Sequence, residues 1–147
     1  MSVVAILSML LSGQTAPAIA DGIPLGAIPR QSLPEHGCAA FLWSHGEART
    51  LVAMASADPA QLRLSVDGAI IDLPRDTQQG PGSFGFSQTT EYRAGTTVAT
   101  LVMTVAVRED LKDGAAIPEA TLRLDRAGKD SVVLPVAGLI GCVEGGK

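Results

Sequence analysis

Four residues of this chain have the chemistry to bind a transition metal together: His36, Cys38, His45 and Cys142. They are the only two histidines and the only two cysteines in the sequence. Imidazole and thiolate are ligands that zinc and copper prefer. Structural zinc ligands usually come in pairs with about two to four residues between them, and this spacing differs. From the sequence we therefore expect that the protein binds no metal and no cofactor. A zinc-handling or copper-handling domain that uses these four residues is the alternative.

The two cysteines are interpreted first as a disulfide, because an exported chain with an even number of cysteines commonly pairs them. Cys38 and Cys142 are 104 residues apart in the sequence. Closing a loop of that length is expected to stabilise the fold by roughly 4 to 5 kcal/mol in the chain-entropy description. The alternative is that both thiols stay reduced within the core, where free cysteine is commonly found.

No combination of nucleophile and base in the sequence indicates catalysis. Ser44 and His45 are adjacent, so on a strand their side chains point to opposite faces and the hydroxyl does not reach the imidazole. Cys38 would have to be free and activated by a histidine to act as a nucleophile. The segment Gly80–Gly85 is rich in glycine but lacks the lysine of a phosphate-binding loop. We therefore expect that the protein is not an enzyme.

The segments that position these residues alternate between apolar and polar side chains with a period of two, which is typical of β-strands. Cys38 begins the first such segment and Cys142 ends the last, so a bond between them requires neighbouring strands to be antiparallel. Asp67-Gly68 predicts a two-residue hairpin turn. About eight strands separated by glycine and proline turns predict an all-β fold, either an antiparallel β-sandwich or a small barrel.

The first 37 residues are expected to precede this domain. Residues 1–20 contain an apolar run followed by Ala-Ile-Ala, which predicts a cleavable signal peptide, although no lysine or arginine precedes the run. A retained membrane anchor is the alternative. Residues 21–37 carry prolines at 24, 29 and 34, which exclude a helix and predict an extended leader. Residues 38–147 are then one all-β domain.

Composition and charge limit the classes of partner that we expect for this chain. The formal net charge is −4, and the basic residues are dispersed among acidic ones. Binding to nucleic acid requires a basic patch, so nucleic acid is not expected as a partner. No second apolar run is long enough to span a membrane after the signal peptide. We expect an exported protein, either periplasmic or extracellular.

The longest stretch without a regular pattern runs from residue 75 to residue 88 and is predicted to be a loop. It holds Phe84 and Phe86, two of the three phenylalanines. Long irregular loops in compact domains are mobile or functional. We therefore expect an exposed binding loop at Phe84 and Phe86, in a protein-binding or structural module of the cell envelope that uses this loop or its sheet edges. An inhibitor of a secreted hydrolase is a further alternative.

Overall fold

The computed structural model describes residues 23–46 and 48–143, and the predicted signal peptide lies outside this part of the chain. All the regular structure in these residues is β-strand, which confirms the all-β prediction. The strands are β1 (Leu25–Gly26), β2 (Cys38–Ser44), β3 (Leu51–Ala57), β4 (Ala60–Val66), β5 (Ala69–Ser83), β6 (Phe86–Ala94), β7 (Thr97–Ala106), β8 (Gly114–Asp125) and β9 (Val132–Cys142).

Strands β2 to β9 form a closed antiparallel barrel. Each strand pairs with the next one along the chain, and β9 pairs with β2 to close the ring. The turn between β4 and β5 is the predicted hairpin: Val66 lies opposite Ala69, and Asp67 and Gly68 have φ angles of 49° and 82°. Positive φ at both central residues suits the twist of the flanking strands. Of the two architectures that the sequence allowed, the structure is the barrel and not the sandwich.

Side chains at alternate positions along each strand point inward and fill the barrel interior. An eight-stranded barrel is just wide enough for such side chains to fill it. Tyr92 is the largest of them and is 1% exposed, and most of the others are leucines that are at most 2% exposed: Leu42, Leu62, Leu64, Leu73, Leu101, Leu122 and Leu124. Because the inward positions are occupied by packed leucines, the outer surface and the ends of the barrel are where ligand contacts are to be sought.

The disulfide forms between Cys38 and Cys142, as predicted. The two residues lie directly opposite each other where β2 begins and β9 ends, and the strands are antiparallel. Both side chains are buried, with 2% and 7% of their surface exposed. The bond therefore joins the first and last strands of the barrel at the point where the ring closes.

The leader packs against the barrel in two ways: Leu25 is fully buried in the main core, and Ile28 lies on the outer surface. Leu25 and Gly26 of β1 pair with Val66 and Ser65 of β4. Ile28 is 5% exposed and packs in a small cluster with Ala39 and Met54 on the outer faces of β2 and β3. This part of the chain is therefore joined to the domain by both backbone pairing and apolar contact.

The prediction that residues 75–88 form an irregular loop is wrong. β5 continues through Pro74 to Ser83 and forms a long hairpin with β6, with irregularities near Asp76 and Gly80 that absorb the unusual sequence. Proline lacks a backbone donor, so strands accept it where the ladder needs none.

The expected exposure of Phe84 and Phe86 is also wrong. Phe86 is 4% exposed and belongs to the core, and Phe84 is half-buried against that core. The turn that carries Gly85 packs against Ala57, at the end of β3. The hairpin tip therefore covers this end of the barrel, because two aromatic rings gain more from contact with the core than from water.

Burial raises the pKa of Tyr92 from its ordinary value of 10.0 to about 12, and the nearby charge of Arg75 partly opposes the shift. Between about pH 10 and pH 12 the phenol ionises in the unfolded chain but not in the barrel. The native state then holds more protons, so the free energy of unfolding is expected to fall by roughly 1.4 kcal/mol per pH unit in this window. Below pH 10 this contribution is fully present.

Urea denaturation at pH 9, 10, 11 and 12 measures this effect. Tyr92→Phe removes the titrating group and keeps the ring, so its pH dependence over the same window should be shallower by that amount. Equal slopes for the two proteins would show that Tyr92 does not contribute.

A groove on the outer face of the barrel

The four residues considered for a metal site do not come together. His36 precedes β2 and His45 follows it, so the extended strand holds the two imidazoles more than about 20 Å apart. Ligands of one zinc ion lie about 2 Å from the metal, so the two histidines do not share an ion. Cys38 and Cys142 are joined to each other. Among the described residues, no group of three His, Cys, Asp or Glu side chains is placed to hold a metal.

Ser44 and His45 share no hydrogen bond, and the hydroxyl of Ser44 contacts the backbone of Thr50 instead. Ser44 is 4% exposed, and its Oγ accepts a hydrogen bond from the Thr50 backbone N–H at 3.3 Å. The Ser44 backbone N–H donates to the Thr50 carbonyl at 2.9 Å. These bonds close the connection from β2 to β3 and leave His45 exposed at its tip. The serine thus has a structural partner in the backbone of Thr50.

An irregularity in β8 shapes the outer surface next to this connection. Ile117 pairs with Gly138 and Ala120 with Val136, so Pro118 and Glu119 together lie opposite Ala137 of β9. Such a bulge bends its strand, and proline fits there because it has no N–H to donate. The result is an open groove of about 650 Å³ across β2, β8 and β9. We call it the Trp43 groove.

The floor of the Trp43 groove is made of small residues and its walls are large and apolar. Ala116, Ala137 and Gly138 form the floor. Trp43 stands on one side, on the outer face of β2, with its ring centroid 6.4 Å from that of Phe41. Leu139 lines the groove from β9 and is 47% exposed. Small residues between large ones leave a depression in which an apolar side chain would be surrounded.

The rim of the Trp43 groove is basic, although the whole chain carries a net negative charge. His45, Arg49 and Arg108 line it, and no Asp or Glu is among the described residues that line it. Arg108 makes an exposed ion pair with Asp110 at 3.0 Å. Arg49 has no ion-pair partner among the described residues. The groove therefore combines apolar walls with a guanidinium that forms no ion pair in the part of the chain that the structure describes.

The sequence alone did not identify this groove. Arg49, Arg108 and Leu139 come from three distant parts of the chain and share no motif. The available signal was Trp43, the only tryptophan, at an outward position of a strand whose inward positions were already apolar. An aromatic residue on the outer face of a strand is a feature of binding surfaces.

Within residues 23–46 and 48–143, no helix has the length and apolarity that crossing a bilayer requires. Comparison of the chain with known proteins gives no match to a protein-family model, to a curated protein or to a solved structure.

Proposed function

We propose that this is an exported, non-catalytic protein-binding module, and that the Trp43 groove takes a partner segment in which an apolar side chain lies next to a carboxylate. One observation carries the proposal: Arg49, which has no ion-pair partner within residues 23–46 and 48–143, lines the same groove as Trp43, above a floor of small residues. The proposed compartment is periplasmic or extracellular. The buried disulfide is consistent with it, because such bonds persist in oxidising environments.

The apolar walls supply the affinity in this proposal. Trp43 is half-buried and Leu139 is 47% exposed, so both retain surface that a partner would remove from water. Tryptophan and arginine are the residues that most often dominate binding energy at protein interfaces. Burying one leucine-sized or phenylalanine-sized side chain is worth roughly 1.5 to 3 kcal/mol.

The basic rim supplies the selectivity. A carboxylate next to the anchoring side chain would reach Arg49, which has no competing acid among the described residues. Arg108 can contribute as well, because exposed ion pairs such as Arg108–Asp110 are worth about 0 to 1 kcal/mol and exchange readily. An inhibitor that binds a secreted hydrolase would be one form of the same function.

The single tryptophan makes a direct test available, since its emission reports on the groove. The probes are synthetic peptides of six residues, each with one Leu, Ile, Met or Phe followed by Asp-Glu, and matched peptides with Asn-Gln instead. We expect the acidic peptides to change the emission of Trp43 and to bind at least about tenfold more tightly than their amide counterparts.

Arg49→Ala should remove that preference for acidic peptides. Arg93→Ala is the matched control, because Arg93 is also exposed but lies on β6 and pairs with Asp76. Unchanged emission with every peptide, or equal affinity for the acidic and amide series, would contradict the proposal.

A further inference from the structure

The ring of strands is not paired along its whole height. Pairing between β6 and β7 stops where Thr89 lies opposite Val102. Beyond this pair, β6 still has Phe86, Ser87 and Gln88, of which Phe86 and Ser87 pair with β5 and none pairs with β7. On the other side, β7 continues to Ala106 and pairs only with β8. Two strand segments therefore face each other without backbone hydrogen bonds between them.

The packing of the hairpin tip explains this separation. Phe86 is drawn into the core and the turn at Gly85 reaches Ala57, which pulls the start of β6 across the end of the barrel. At Gly85 an added Cβ would lie 2.7 Å from the Ala57 Cβ, so the approach is close. β7 follows β8 instead, with Met103 opposite Ala120 and Thr104 opposite Glu119.

The gap is a cleft of about 250 Å³, which we call the β6–β7 notch. Phe86 and Met103 lie at its base and are 4% and 3% exposed. Its outer lining includes Gln88 and Thr104, and none of the lining residues that the structure describes is charged. Unpaired donors and acceptors along a strand edge are a template for pairing with another chain.

We propose that the β6–β7 notch is a second binding site, in which an extended, uncharged segment of a partner polypeptide adds as a strand along Met103–Ala106 of β7. The main-chain groups of the segment would bond the free edge, and its alternate side chains would face the apolar base and the polar outer lining. The uncharged lining sets this site apart from the basic Trp43 groove. The proposal does not depend on the proposed function of that groove.

A phage-displayed library of random eight-residue peptides, selected on the full chain, tests the proposal. Selected peptides should slow hydrogen exchange of the backbone amides in residues 103–106. Methylation of alternate main-chain nitrogens in the peptide should abolish binding, because strand addition uses those donors. Failure to select any peptide, or protection confined to other residues, would overturn the proposal.

Thr104→Lys should weaken binding of the selected peptides at least about tenfold, because a lysine at a strand edge blocks pairing. Thr100→Lys is the matched control: it is on the same outer face of β7, but there β7 is paired to β6 and β8. Trp43→Ala should leave binding unchanged. Equal loss in both lysine variants, retention in Thr104→Lys, or loss in Trp43→Ala would refute the notch as the site.

Discussion

Replacing Cys38 and Cys142 together by alanine is expected to lower the free energy of unfolding by about 4 to 5 kcal/mol. The bond spans 104 residues, so it restricts nearly the whole unfolded barrel domain. It also joins β2 to β9, the one pair in the barrel whose partners are far apart in sequence. Natural domains are stable by only about 5 to 15 kcal/mol, so a loss of this size would leave the barrel marginal.

Chemical denaturation of the wild type with and without reductant, and of the double alanine variant, measures this effect. The reduced wild type separates the cross-link from the packing of the sulfur atoms, since it keeps both side chains. Reductant should lower the stability of the wild type and leave that of the variant unchanged. A difference below about 1 kcal/mol between oxidised and reduced wild type would show that the cross-link does not hold the ring closed.

Gly138→Ala is expected to lower the free energy of unfolding by at least about 3 kcal/mol. A Cβ at this position of β9 would overlap the carbonyl oxygen of Phe41, which belongs to the backbone of β2. The backbone of a paired strand moves only if the pairing itself moves. The substitution should therefore force β2 and β9 apart beside the floor of the Trp43 groove.

Gly141→Ala is the matched control on the same strand. A Cβ there would lie 3.2 Å from Cδ2 of Leu33, the end of a side chain that is 47% exposed and free to turn aside. We expect it to cost less than about 1 kcal/mol. Thermal unfolding of the two variants compares them directly. Similar melting temperatures for both would mean that β2 and β9 can accommodate the added methyl group at Gly138.

Features that depend on neighbouring residues were predictable from the sequence. The alternation in residues 61–66 predicts that Leu62, Leu64 and Val66 face inward, because a strand repeats every two residues, and all three are buried. Asp67-Gly68 predicts the hairpin because the turn needs positive φ at both positions. The disulfide followed from a count of two cysteines at the two ends of the strand pattern.

The prediction of a loop at residues 75–88 was wrong because turn-forming residues and tertiary packing favour different structures there. Pro74, Pro81 and the glycines between residues 80 and 85 are typical of a loop, yet the chain continues as paired strands. Phe86 lies in the core because the hairpin tip folds over the end of the barrel and gains apolar contact there. The sequence around Phe86 does not show that the folded hairpin will bring this side chain to the open end of the barrel core.

The residues themselves determined that this chain forms antiparallel strands, that one hairpin turns at Asp67-Gly68, and which thiols could join. Only the tertiary structure decided between barrel and sandwich, because that choice depends on whether β9 pairs with β2 across the whole chain. The tertiary structure also determined that the Trp43 groove forms, because it brings Trp43, Arg108 and Leu139 together from three distant segments. Strand periodicity acts over a few residues, whereas ring closure and surface shape arise from pairings between residues about a hundred positions apart.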